Sequence, residues 1–348
     1  MTGQQVGRDL RMDAMRVFAA FSVVMLHAAA SSWNKPGPDF IAAALFDTAV
    51  RYSVPVFVML SGAFLLDPER EMPLKKLYQR HVLQTAFVLL VWSVGYAGFH
   101  QVILPLCRGA EISWKTFLGN ALLGHYHLWY LYMIVGLYLA VPVLRLIARE
   151  RKALWYYLGF WALFGVLAKT AAMLPGFAPL NTLLNSKAHL YFFTDFAGYF
   201  LLGYALRTAE LKPKWEKALC WMAPVGYLGT AAATFLASWR SGAHVTKYMD
   251  NFCLFVFLEA VGIFTVFQRA KAAGRLLEHP GFAKAVSFLS ELTLGVYLIH
   301  PFLLNLATKY IREGSAFLLV PVHFLATLLA SILFTFCVKK IPLLRKLV

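Results

Sequence analysis

Charge is scarce in this chain: 14% of its 348 residues are Asp, Glu, Lys or Arg, and 60% are apolar. That balance excludes an ordinary soluble domain. Acids are scarcer still, 17 against 33 Lys and Arg, which leaves a formal net charge of +16. The basic residues are scattered between apolar stretches and build no patch beside exposed aromatics, so nucleic acid is not an expected partner. Cysteine is sparse as well. Cys107, Cys220, Cys253 and Cys337 lie in or beside apolar segments without C-x-x-C spacing, so neither a metal site nor a disulfide framework is expected. Linkers of soluble-domain size, low-complexity tracts and clear internal repeats are also missing.

What fills the chain is apolar segments of membrane-spanning length. Ten spans are expected, near 14–32, 41–66, 81–104, 126–147, 153–174, 189–207, 216–239, 247–268, 286–309 and 315–338. The fold class is therefore all-α, a polytopic membrane helical bundle of about ten transmembrane helices. The first run has no small-residue cleavage site and reads as a span. Residues 1–10 are set apart as a flexible leader, because MTGQQVGR at Met1 to Arg8 resembles a common expression-vector sequence. Residues 11–348 form one domain.

Lys and Arg accumulate on alternate connections, as the positive-inside rule requires. One side holds twenty-three of the 33 cations, from Arg8, Arg11 and Arg16 to Lys339, Lys340, Arg345 and Lys346. The opposite loops hold eight: Lys35, Arg108, Lys115, Lys187, Arg240, Lys247, Lys309 and Arg312. Both termini are expected in the cytoplasm.

Ionisable groups inside such spans are costly, and each is a functional candidate. Arg16 and His27 stand eleven residues apart in the first span, so on a helix they share one face roughly 16 Å apart. His27 is either a structural histidine bonded between helices or a catalytic base. Arg16 either snorkels to the cytoplasmic interface or meets a ligand. Asp13 either holds Arg16 or favours the helix start. Asp47 and Arg51, one turn apart, read as a structural ion pair. Pro55 should bend the second span, and Ser61-Gly62 permits close helix approach. Lys76 and Arg80, at i, i+4, present two cations on one face, suited to anionic lipid or to a phosphate-rich ligand. His125 and His127 open the fourth span at i, i+2, which on a helix puts them on different faces. Asp195 and Glu259 have no assigned role.

Taken in order, Arg11-Met-Asp13-Ala-Met-Arg16 with His27, Val-Met-Leu-Ser61-Gly62, His127-Leu-Trp129-Tyr130-Leu and Leu-Gly-Val-Tyr297-Leu-Ile-His300-Pro301 resemble the acyltransferase-3 family of integral membrane acyltransferases. The resemblance runs from about residue 11 to 338. The stand-alone size is similar to the branch containing enterobacterial common antigen O-acetyltransferase. The resemblance implies transfer of an acyl group, most often acetyl from cytoplasmic acetyl-CoA, to a hydroxyl of a glycan or lipid-linked sugar. It also implies a multi-pass protein of the bacterial inner (plasma) membrane. The family's Arg/Lys-ten-residues-His motif falls on Arg16 and His27, and its Ser-Gly element on Ser61 and Gly62. Its usual Arg-x-x-Arg pair is here Lys76-x-x-x-Arg80.

The chemistry agrees. A neutral His27 can take the proton of an attacking hydroxyl, and Arg16, Lys76 and Arg80 can hold the phosphates of coenzyme A. Ser61, Gly62, His127, Trp129, Tyr130 and His300 are candidates for orienting the acceptor or stabilising the oxyanion. Acetyl-CoA is a substrate, and no permanently bound cofactor is expected. The other expected partners are the sugar acceptor and membrane lipids, with self-association left open. An acetyl-imidazole at His27 is a competing route. The alternative from another class is an exporter of a lipid-linked sugar or small anion, which would also use intramembrane Asp, Glu, Arg and His.

Overall fold

The computed structural model describes residues 8–33, 37–269 and 271–348, so Met1 to Gly7 of the leader and Lys35 lie outside the described residues. Among those described, the regular structure is entirely helical. The main helices are α1 Leu10–Ala30, α2 Pro38–Thr48, α3 Ser53–Leu65, α4 Leu74–Cys107, α5 Trp114–Leu123 and α6 Trp129–Arg149. They continue with α7 Arg151–Trp161, α8 Ala197–Thr208, α9 Pro213–Ser241, α10 Leu254–Arg269, α11 Pro280–Tyr310 and α12 Ala316–Lys339.

Helix falls on all ten expected spans, and among the described residues eight stretches are long and apolar enough to cross a membrane. The other two are the α7 region and α8. Helix α8 has 12 residues, about 18 Å of rise against a hydrocarbon core of roughly 30 Å. It is buried on every side from Gly198 to Leu206. An apolar run buried in protein and one facing lipid look alike in sequence.

The first span is central, with α1 packing against α2, α3, α10, α11 and α12. Asp9 caps it, accepting from Met12 N at 3.3 Å, so ordered structure begins within the segment that the sequence sets apart as a leader. Helix α3 lies against α8 by backbone approach. A Cβ on Gly62 would collide with the Phe200 carbonyl, and one on Gly203 with the Met59 carbonyl. Small residues allow such contacts, and dispersion between the backbones then holds the pair. Helices α9 and α10 meet in the same way through Gly226 and Gly262.

The second span is broken at residues 49–52, ahead of the proline expected to bend it. Pro55 sits in the first turn of α3, where its missing N–H leaves no bond unmade. Buried Asp47 and partly buried Arg51 form the expected ion pair at 2.6 Å beside this break. Outward faces carry large apolar side chains, such as Leu325, Leu329 and Leu333 on α12 and Trp221 and Leu228 on α9. A row of this kind is at ease only against lipid.

Candidate active site

Five helices enclose a cavity of about 360 Å³ that runs along the bundle axis. Arg16, Val23 and His27 line it from α1, Val54, Phe57 and Ser61 from α3, Arg80, Gln84, Thr85 and Val88 from α4, and Tyr130, Ile134 and Tyr138 from α6. Thr293, Leu294 and Tyr297 complete the wall from α11, with His127 and Trp129 at the start of α6. Helical spacing puts Arg16, Ser61, Arg80 and Tyr138 toward one end and His27, Val54 and His127 toward the other. The shared face of Arg16 and His27 expected from the sequence is therefore the face that lines the cavity.

At the arginine end, Arg16 Nη1 donates to Asp13 Oδ1 at 2.8 Å and to Ser290 Oγ at 3.2 Å. Asp13 is buried and also accepts from Arg8 Nε at 2.5 Å and from Ser290 Oγ at 2.8 Å. This fixes Arg16 without removing it from the cavity wall. The Phe64 ring has three guanidiniums around it, Arg16 at 5.8 Å, Arg70 at 4.7 Å and Arg207 at 5.0 Å. Each of the three also pairs with an acid, Arg16 with Asp13, Arg70 with Asp67 and Arg207 with Asp9, so the cations in the cavity wall itself are Arg16 and Arg80.

Lys76 and Arg80 do not share the cavity wall. Residues Tyr78–Val82 form a π turn, whose i→i+5 bonding breaks the α-helical register that would align positions i and i+4. Arg80 enters the cavity wall, whereas Lys76 stays at the surface, with Nζ donating to Glu71 O at 3.4 Å. Gly62 is not among the lining residues and serves the α3–α8 contact. Ser61 is a lining residue, its Oγ donating to Phe57 O at 3.1 Å.

At the other end His27 meets His300 across 273 positions of chain. His27 Nδ1 lies 2.9 Å from Val23 O and 3.2 Å from His300 Nε2. His300 is fully buried, and its Nδ1 lies 2.7 Å from Tyr297 O. A carbonyl only accepts, so each Nδ1 carries a proton, and the single His27 Nδ1–H is shared between Val23 O and His300 Nε2, which in the neutral ring accepts. The remaining nitrogen, His27 Nε2, then keeps its lone pair on a side chain that lines the cavity.

The segment that opens α6 is not α-helical. Tyr126–Leu128 is a 3-10 turn, so the different helix faces expected for His125 and His127 do not apply. Their Nδ1 atoms stand 2.9 Å apart. Tyr297 Oη donates to His127 O, which ties this turn to α11. Sequence reasoning did not single out Gln84, Thr85 or Tyr138 as lining residues; the spacing of Tyr138 from Tyr130 on one helix was an available signal, whereas the π turn stands between Arg80 and Gln84 or Thr85. It also gave no role to Arg8 or Ser290. Asp195 accepts from Phe196 N at 2.7 Å and Glu259 is buried against the α9 backbone, both away from the cavity.

An all-helical polytopic fold around a cavity with Arg16 and Arg80 at one end and His27 at the other defines a multi-pass membrane protein. The acyltransferase-3 family model, described as an acyltransferase domain, matches residues 9–339. The chain belongs to this family and is a membrane acyltransferase. That match lends no support to the exporter alternative. No curated protein and no solved structure matches the chain.

Proposed function

We propose that the protein transfers an acetyl group from cytoplasmic acetyl-CoA to a hydroxyl of a surface-glycan or lipid-linked sugar, with His27 as general base, in the bacterial inner membrane. The observation that carries this reading is the single cavity holding Arg16 and Arg80 at one end and His27 at the other. Paired guanidiniums suit the phosphates of coenzyme A. The roughly 16 Å between Arg16 and His27 suits an extended pantetheine arm. Ser61, Gln84 and Thr85 line the way and offer hydrogen bonds to its amides.

In the proposed reaction His27 Nε2 accepts the acceptor's hydroxyl proton as the hydroxyl oxygen attacks the thioester carbonyl. His300 Nε2 accepts from His27 Nδ1–H and holds the tautomer that leaves Nε2 basic. The tetrahedral intermediate collapses with cleavage of the C–S bond, and the imidazolium returns its proton to the departing thiolate. Tyr130 and His127 stand in the same wall as candidate donors to the oxyanion. An unprotonated Nε2 could also attack the thioester itself, but direct transfer needs no group beyond those already in the wall.

The test uses purified protein in nanodiscs with labelled acetyl-CoA and membrane glycans from the source cells. Label should appear in glycan ester that mild base releases. Glycans that stay unlabelled while acetyl-CoA binds would overturn the assignment of the acceptor class.

A further inference from the structure

A second cavity, of about 570 Å³, lies at the far end of α4, among its last turns, the end of α5 and the loop before α6. Its walls include Tyr96, His100, Gln101, Arg108, Asn120 and His125. Helix α4 contains two π turns. Tyr78–Val82 delivers Arg80 to the axial cavity, and Phe99–Ile103 carries His100, which lines the second one. Such irregular turns recur at functional sites.

The two cavities share a thin partition. Tyr126 lines the second cavity, and its ring stands 5.5 Å from the His27 ring. His125 lines the second cavity and bonds to His127, which lines the first. On one wall three rings are nearly parallel. Tyr96 and His125 are 4.3 Å apart at 14°, and His100 and His125 are 5.7 Å apart at 5°. Tyr96 Oη is fixed by donating to Leu298 O at 2.8 Å. Tyr96 is buried and lies face to face with His125, which it holds in place, so the partly exposed rings of His125 and His100 are the ones that can meet the C–H side of a sugar ring, while Gln101 and Asn120 can bond its hydroxyls. Arg108 is exposed, has no ion pair among the described residues, and shares the lining with no acid.

We propose that this second cavity is the acceptor port, selective for a sugar that carries one negative charge. The ring packs against His125 and His100, its carboxylate or phosphate pairs with Arg108, and a hydroxyl passes Tyr126 to reach His27. This inference rests on the acyltransfer reading above. Carboxylate and phosphate share the recognition chemistry, so both are probed.

The experiment measures Kd for methyl β-D-glucuronide, glucose 1-phosphate and neutral methyl β-D-glucoside, with the full chain in phosphatidylcholine nanodiscs, which exclude anionic headgroups. At least one anionic sugar should bind about five-fold more tightly than the glucoside. That preference should vanish in Arg108→Gln and return in Arg108→Lys. The acetyl-CoA melting shift, measured in each variant, reports that the fold and the donor cavity are intact. Equal binding of all three sugars, or a preference that survives Arg108→Gln, would overturn the port. A wild-type protein that selects anionic sugars but gives no acetyl-CoA shift would instead overturn the acyltransfer reading on which the port depends.

Discussion

His300 Nε2 lies 3.2 Å from His27 Nδ1, and each ring also has its own Nδ1 against a backbone carbonyl, Val23 O for His27 and Tyr297 O for His300. The chain of bonds has one consistent direction, from His27 through His300 to Tyr297. It leaves His27 Nε2 as the basic nitrogen. His300 does not line the cavity itself, and in the proposed reaction its part is to position the base.

Replacing His300 tests that role. His300→Leu should lower kcat roughly 10- to 100-fold, while KM for acetyl-CoA stays within about two-fold because the donor walls are untouched. His300→Gln can place an amide oxygen near the lost Nε2 and should restore part of kcat. Steady-state kinetics on both variants checks this. A rise in KM with kcat unchanged would count against the positioning role.

Arg80 and Lys76 should separate. Arg80→Ala removes a guanidinium from the cavity wall and should raise KM for acetyl-CoA about ten-fold. KM for S-acetyl-pantetheine, which lacks the nucleotide phosphates, should stay unchanged. Lys76→Ala should leave both values within about two-fold, since Lys76 lies outside the wall.

Gly62 should matter for folding. Gly62→Ala drives a methyl group into the Phe200 backbone, an overpacking expected to cost about 1–3 kcal/mol and to lower the melting temperature in detergent. Gly136 provides the contrast, because a Cβ there meets nothing within 4 Å. Gly136→Ala should melt at or above the wild-type temperature.

The sequence reached the parts of this site that depend on local periodicity. Arg16 and His27 share a face because α1 is an uninterrupted helix with regular spacing. The ion pair of Asp47 with Arg51 also forms as expected, although Arg51 lies in the break after α2 and not on a continuous helix. It was less informative wherever the backbone leaves the α-helix. The π turn at Tyr78–Val82 separates Lys76 from Arg80, and the 3-10 turn at Tyr126–Leu128 brings His125 to His127. Neither departure has a glycine or proline signal at its centre. His300 was visible as part of a motif, but its contact with His27 is a tertiary event between α1 and α11 that no local pattern encodes. The shortness of α8 was hidden for a related reason, since an all-round apolar helix reads the same in protein as in lipid.

The central claim is that His27 performs the proton transfer, and the direct test is turnover of acetyl-CoA by purified His27→Ala in nanodiscs alongside its acetyl-CoA melting shift. The variant is expected to retain the shift, because the arginine mouth is unchanged, and to lose at least about 10²-fold in kcat. Turnover near the wild-type rate in a variant that still binds acetyl-CoA would contradict the account.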